Sequence, residues 1–183
     1  MIEGPPPVHV VEAPQTRMGK SLLASILLMA SMGRDPAMSP LDSDEKEVRR
    51  ALTTVFAEGR QAQVFDNVKK RIDSQSFELA TTGSRWSDRI LGVTGGIDVP
   101  IRTIWALTSN NPQLSTDLVG RSIRIRIHRR TPFDPQTARH AKSKAFTLAN
   151  HARLTSAGLK IVQHWIRAGR TESRSVRFAG YED

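Results

Sequence analysis

The sequence predicts an α/β fold of three layers, a central and mostly parallel sheet between helices, with a short helical portion toward the C-terminal end. Three observations lead there: apolar, β-branched runs alternate with helix-period stretches, a Gly-Lys-Ser loop lies between the first run and the first helix, and a late segment alternates isoleucine with arginine. Ligands of such sheets bind beyond the carboxyl ends of the strands. At 183 residues the chain suits one domain with its own core.

Each element follows from its own residues. Positions 1–7 contain Gly4 and the prolines Pro5, Pro6 and Pro7, which cannot join a sheet ladder and form a lead-in. Val8-His9-Val10-Val11 is the first strand, and positions 21–32 form a buried helix. A second helix is expected over 42–58: Asp42 and Glu45 have capping-box spacing, Val48, Leu52, Val55 and Phe56 form a stripe, and Gly59 stops it. Ala62-Gln63-Val64-Phe65 is a buried strand ending abruptly at Asp66-Asn67, and 74–82 is helical. A hairpin is expected between Ile90-Leu91-Gly92-Val93 and Ile97-Asp98-Val99, turning at Gly95-Gly96. Positions 102–108 form an apolar strand closed by Ser109-Asn110-Asn111-Pro112. The alternation over 122–128 predicts an edge strand with one wet face. After Pro132 and Pro135 the chain turns helical, with an amphipathic stretch over 154–168 ended by Gly169. The expected divisions are 8–131 for the core, 132–169 for a helical segment and 170–183 for a loose tail.

Composition narrows the function. Apolar residues make 38% and charged residues 25%, a globular balance, and no apolar run approaches the about 20 residues that span a bilayer. The run over 22–32 follows a lysine and a loop, as a buried helix rather than a signal peptide does. The absence of cysteine excludes disulfides and thiolate metal sites. Nothing argues for secretion, and a cytoplasmic location is the expectation. Lys and Arg outnumber Asp and Glu by 27 to 18, with the excess gathered over 121–130 and 139–177. That asymmetry points to a polyanionic partner, nucleic acid above all, with a solvated basic surface as the alternative.

The chemistry centres on Pro14-Gln15-Thr16-Arg17-Met18-Gly19-Lys20-Ser21, set between a strand and a helix. Its Gly-Lys-Ser ending matches the phosphate-loop pattern, although Pro14 replaces the usual first glycine. Backbone N–H groups at a helix start can cradle phosphates, a lysine neutralises their charge, and a serine hydroxyl ligates magnesium. Asp66, at the end of a neighbouring strand, is the candidate magnesium-side carboxylate, against the alternative that Asp66-Asn67 only starts a turn. Asn110 is the candidate for orienting an attacking water, and Asn111-Pro112 is equally compatible with turn chemistry alone. Arg121 is the candidate arginine for γ-phosphate charge, with Arg89 in reserve.

With these elements in this order the sequence resembles the AAA+ ATPases of phages, plasmids and integrated elements, which often accompany primase domains and are related to superfamily 3 helicases. The similarity covers most of the chain and is most specific at 12–24 (EAPQTRMGKSLLA), 64–68 (VFDNV), 85–92 (RWSDRILG) and 103–127. The resemblance implies a three-layer P-loop NTPase fold of the ASCE and AAA+ type. It places Lys20 and Ser21 on Walker A, Asp66 on Walker B, Asn110 on the sensor position, Arg121 on the arginine finger, and the helices after Pro135 in the lid. It implies ATP and magnesium as cofactors, DNA as partner, and a homo-oligomeric ring with shared sites. Two departures stand out. Arg17 occupies a place where many relatives have glycine, so the loop there either needs no positive φ or is strained. Asn67 stands where most relatives carry the glutamate that activates water, and an amide orients water without taking its proton. Asp88 and Glu78 are the substitute bases to consider. Relatives usually carry more protein on both sides, so a fragment is expected.

The leading expectation is therefore a helicase-like ATPase core acting on DNA. The alternatives are a slow-turnover ATP-dependent switch or assembly module, and a basic DNA-binding domain with a vestigial loop.

Overall fold

The computed structural model describes residues 5–90, 95–128 and 140–170. In chain order the elements are β1 (Val8–Glu12), α1 (Lys20–Met32), β2 (Ala37–Ser39), α2 (Glu45–Ala57), β3 (Ala62–Val68), α3 (Gln75–Thr82), β4 (Arg85–Arg89), β5 (Gly96–Pro100), β6 (Ile104–Ser109), α4 (Thr116–Gly120), β7 (Ser122–Arg126), α5 (His140–Ala149) and α6 (His151–Arg167). Five strands form one sheet in the order β2-β3-β6-β1-β7, and β4 and β5 form a separate hairpin. All four ladders of the large sheet are parallel.

Period-two alternation along the strands separates two cores. Val8 and Val10 of β1, Phe65 of β3, and Trp105 and Leu107 of β6 meet Leu52, Phe56, Phe77 and Leu118 of α2, α3 and α4 on one face. Val11, Val64 and Ala106 meet Ala24 and Leu28 of α1 on the other. Helices thus cover both faces, giving the three expected layers. The first core is aromatic: Phe65 stacks on Trp105 with centroids 5.9 Å apart, and Phe56 meets the Trp105 edge at 5.7 Å. Truncating Phe65 or Trp105 to alanine would cost about 3–5 kcal/mol.

Several boundaries move for local reasons. The second helix begins at Glu45, not at position 42, because Asp44 accepts the N–H groups of Lys46 and Glu47 as its cap. Asp42 is occupied earlier, accepting from Ser43 and Asp44 in a turn. The hairpin starts upstream of the expected Ile90, pairing Trp86 with Val99 and Asp88 with Ile97, because Trp86 is the residue that buries. Positions 91–93 of the expected first strand lie outside the described residues. β3 does not end at Asp66-Asn67 but continues to Val68 through an irregularity in its ladder with β6. β2 and α4 were not anticipated. A three-residue strand and a single helical turn leave too little pattern to see. β7 lies at the sheet edge, as its alternation predicts. Positions 129–139 and 171–183 lie outside the described residues. Among the described residues no helix is long and apolar enough to cross a membrane.

Candidate functional site

The loop leaves the carboxyl end of β1, its base stitched by the Ala13 N–H to the Ser109 carbonyl at the end of β6. Gly19 ends it with φ 85°, a left-handed conformation that glycine adopts at no steric cost, and a Cβ there would point into open space. α1 starts immediately after and carries no side-chain cap, unlike α2, α3 and α4, which Asp44, Ser74 and Ser115 cap. Pro14, Gln15 and Thr16 are exposed and Met18 is half-buried. Arg17 has φ 57°, so the loop does require the left-handed region there. An L side chain in that region costs about 1–2 kcal/mol, and the strained alternative is the one realised.

The chemistry-bearing side chains then converge from three elements. The Lys20 ammonium donates to Asn110 Oδ1 at 2.6 Å and to the Gln15 carbonyl at 3.1 Å. The Ser21 hydroxyl donates to Asp66 Oδ1 at 2.5 Å. Helix α1, strand β3 and the segment after β6 thus bring Lys20, Ser21, Asp66 and Asn110 together at the carboxyl edge of the sheet. Burial holds the Lys20 ammonium below its ordinary value, and the nearby Asp66 charge opposes that shift. An amine already short of solvation gains from any second anion that enters beside it.

Two residues that sequence reasoning missed hold this arrangement. Thr108, fully buried, donates its hydroxyl to Asp66 Oδ1 at 2.6 Å and accepts the Asn67 N–H at 2.8 Å. A threonine two residues before Asn110 in an otherwise apolar strand was the available signal. Glu12, 3% exposed at the end of β1, accepts from Arg124 and Arg126 of β7 at 2.6 Å each. Burial pushes the Glu12 carboxyl up, but the hydrogen bonds and charges of the two arginines outweigh it and hold it below its ordinary value. That pairing fixes β7 against the strand from which the loop emerges.

Asn67 is exposed and sits at φ 55°. Asparagine tolerates the left-handed region better than glutamate does, so the ladder irregularity gives a backbone reason for an amide at this position. The two substitute bases are engaged elsewhere. Asp88 receives both Arg49 and Thr53 of α2, and the Arg49 hydrogen bonds hold it below its ordinary value. Glu78 accepts the Ser115 hydroxyl at 2.5 Å. Neither appears among the hydrogen-bond partners of Lys20, Ser21 or Asp66. Arg121 ends α4, and its carbonyl accepts the N–H of Val8 at the amino end of β1. It therefore lies at the opposite end of the strand from Lys20. Arg89 is exposed at the end of β4, beside an open groove of about 1700 Å³ between α2 and the hairpin. In that groove Arg49 and Asp88 satisfy each other, whereas the cluster at Lys20 gathers a lysine, a hydroxyl, a carboxylate and an amide.

The donor set also decides which metal could fit. Among the described residues no group of three or more metal-ligating side chains occurs. One carboxylate and one hydroxyl are too few to cage a cation, and they match magnesium, which keeps its waters and is shared with substrate phosphates.

No protein-family model matches the chain, and no curated protein matches it. Among solved structures the fold is similar to the A form apo structure of the NrS-1 C-terminal region, with TM-score 0.55 and 12% identity, covering 81% of this chain and 35% of that one. A second A form apo structure of that region matches with TM-score 0.48 and 11% identity, covering 79% and 33%. At such identities the likeness is one of fold, and the chain spans only about a third of its neighbour's length.

Proposed function

We propose that the chain is the ATP-binding core of an AAA+ type P-loop ATPase that acts on DNA in the replication of a mobile element. The observation supporting it is the convergence of Lys20, Ser21, Asp66 and Asn110 beside the start of α1. Chance motifs in a sequence have no reason to meet in space. In this reading the Lys20 ammonium takes β- and γ-phosphate charge, and the α1 start supplies N–H groups to the phosphates. Ser21 and Asp66 hold magnesium, which when bound supplies charge neutralisation at the phosphates. Asn110 orients the attacking water. Arg121, at the far end of the sheet, serves the nucleotide of a neighbouring copy in a ring.

A second reading rests on Asn67: with no proton acceptor at that position, the chain binds ATP, turns over slowly and works as a switch. Steady-state and single-turnover ATPase rates, with and without single-stranded DNA, separate the two. Stimulation by DNA supports the motor. Tight ATP binding with turnover that DNA leaves unchanged supports the switch.

A further inference from the structure

Residues 140–170 contain no aspartate or glutamate, yet carry six Lys and Arg residues. Some exposed cations have acid partners, as Arg49 has Asp88, Arg85 has Asp98 and Lys144 of α5 has Asp35. Among the described residues no ion pair involves Arg153, Lys160 or Arg167, and all three are exposed.

The helix geometry says where these charges point. At about 100° per residue, Arg153, Lys160, His164 and Arg167 share an arc of about 60°, centred about 150° from Thr155. Thr155 helps tie α6 to the body, its hydroxyl donating to the Ala30 carbonyl of α1 at 2.7 Å. These side chains therefore line the outward side of α6, over about 21 Å at 1.5 Å per residue.

We propose that this stripe, Arg153, Lys160, His164 and Arg167, is a phosphate-contacting surface for a nucleic-acid strand. It takes its partner class from the DNA-acting reading above but does not depend on nucleotide binding. Cations in a row release counterions from a polyanion, and among the described residues α5 and α6 carry no acid to oppose its approach. The apolar side chains Leu159, Val162 and Ile166 lie within about 40° of Thr155, on the side of α6 opposite the stripe, so the charged side itself offers nothing apolar for a bilayer to take up. Phosphates need no apolar insertion.

The test is fluorescence anisotropy of the whole chain with labelled single-stranded DNA of mixed sequence across a salt series. For Arg153→Gln/Lys160→Gln/Arg167→Gln the affinity is expected to fall at least about tenfold near 0.1 M salt, and the log–log salt slope to shrink by about 2. Lys160→Gln alone should remove about a third of that slope, which keeps the test intact if the triple variant misfolds. A control triple, Arg34→Gln/Lys46→Gln/Lys69→Gln, should change binding by less than about twofold. Stripe variants that bind like the wild type overturn the proposal. So do a control triple with the same loss, or a wild type captured by phosphatidylserine vesicles but not by DNA. Mg·ATP binding is measured on the same proteins: a lost stripe effect with ATP binding intact refutes the stripe alone, and absent ATP binding with the stripe effect present refutes the nucleotide reading alone.

Discussion

The buried Thr108 hydroxyl donates to the carboxylate of Asp66 at 2.6 Å and in the same position accepts the N–H of Asn67 at 2.8 Å. One side chain thereby orients the candidate metal ligand and fixes the backbone of the residue after it. Thr108→Val preserves volume and removes both bonds, so it should cost about 1–3 kcal/mol of stability. Mg·ATP affinity should drop roughly tenfold by calorimetry, with the larger part lost only when magnesium is present, because that part comes from Asp66. Thr108→Ser should restore it. Equal losses in both variants would mean that the hydroxyl does not matter.

Arg17 bears the steric cost of a left-handed φ of 57°. Arg17→Gly removes that cost while adding backbone entropy to the unfolded chain, for a net gain of roughly 0.5–1 kcal/mol. The melting temperature should rise by a few degrees. A fall would show that the Arg17 side chain contributes more than its backbone costs.

Glu12 makes stability depend on pH. Its folded-state pKa lies below the ordinary 4.5, so its contribution is fully present above pH 4.5 and is lost as pH falls through the folded-state value. Glu12→Gln should cost about 1–3 kcal/mol at neutral pH. The penalty should shrink as both proteins are melted at falling pH below that point. Parallel melting curves across the acid range would contradict the ion-pair account.

Asn67 separates motor from switch. Asn67→Glu introduces a proton acceptor next to Asp66 and should raise the single-turnover hydrolysis rate by about tenfold or more. It should also destabilise by about 1 kcal/mol, since glutamate must adopt φ near 55°. An unchanged rate in a folded variant would place the base elsewhere.

The strands of the parallel sheet were legible because Val8, Val64, Trp105 and their neighbours form apolar runs, and the Gly-Lys-Ser loop marks which sheet edge to inspect. Lys20, Ser21, Asp66 and Asn110 could be chosen because each adjoins an apolar run or the helix start in the sequence. Thr108 escaped because a hydroxyl inside an apolar strand announces nothing until its partners across the sheet are known. Glu12 escaped for a related reason: β1 and β7 are neighbours only through the parallel register that sets Glu12 opposite Arg126, and no local pattern states that register. The position of Arg121 at the amino end of β1 follows from the same register. Asp42 gave way to Asp44 because two acids compete for one cap and only geometry decides between them.

The most direct measurement is calorimetric titration of the whole chain with ATP, with and without magnesium, for the wild type, Lys20→Ala and Asp66→Ala. The expected result is magnesium-dependent binding that Lys20→Ala weakens at least about tenfold, the worth of one charge-assisted contact. Asp66→Ala should abolish the magnesium dependence. Affinity that ignores both substitutions, or a folded wild type that takes up no nucleotide, would contradict a triphosphate site at this cluster.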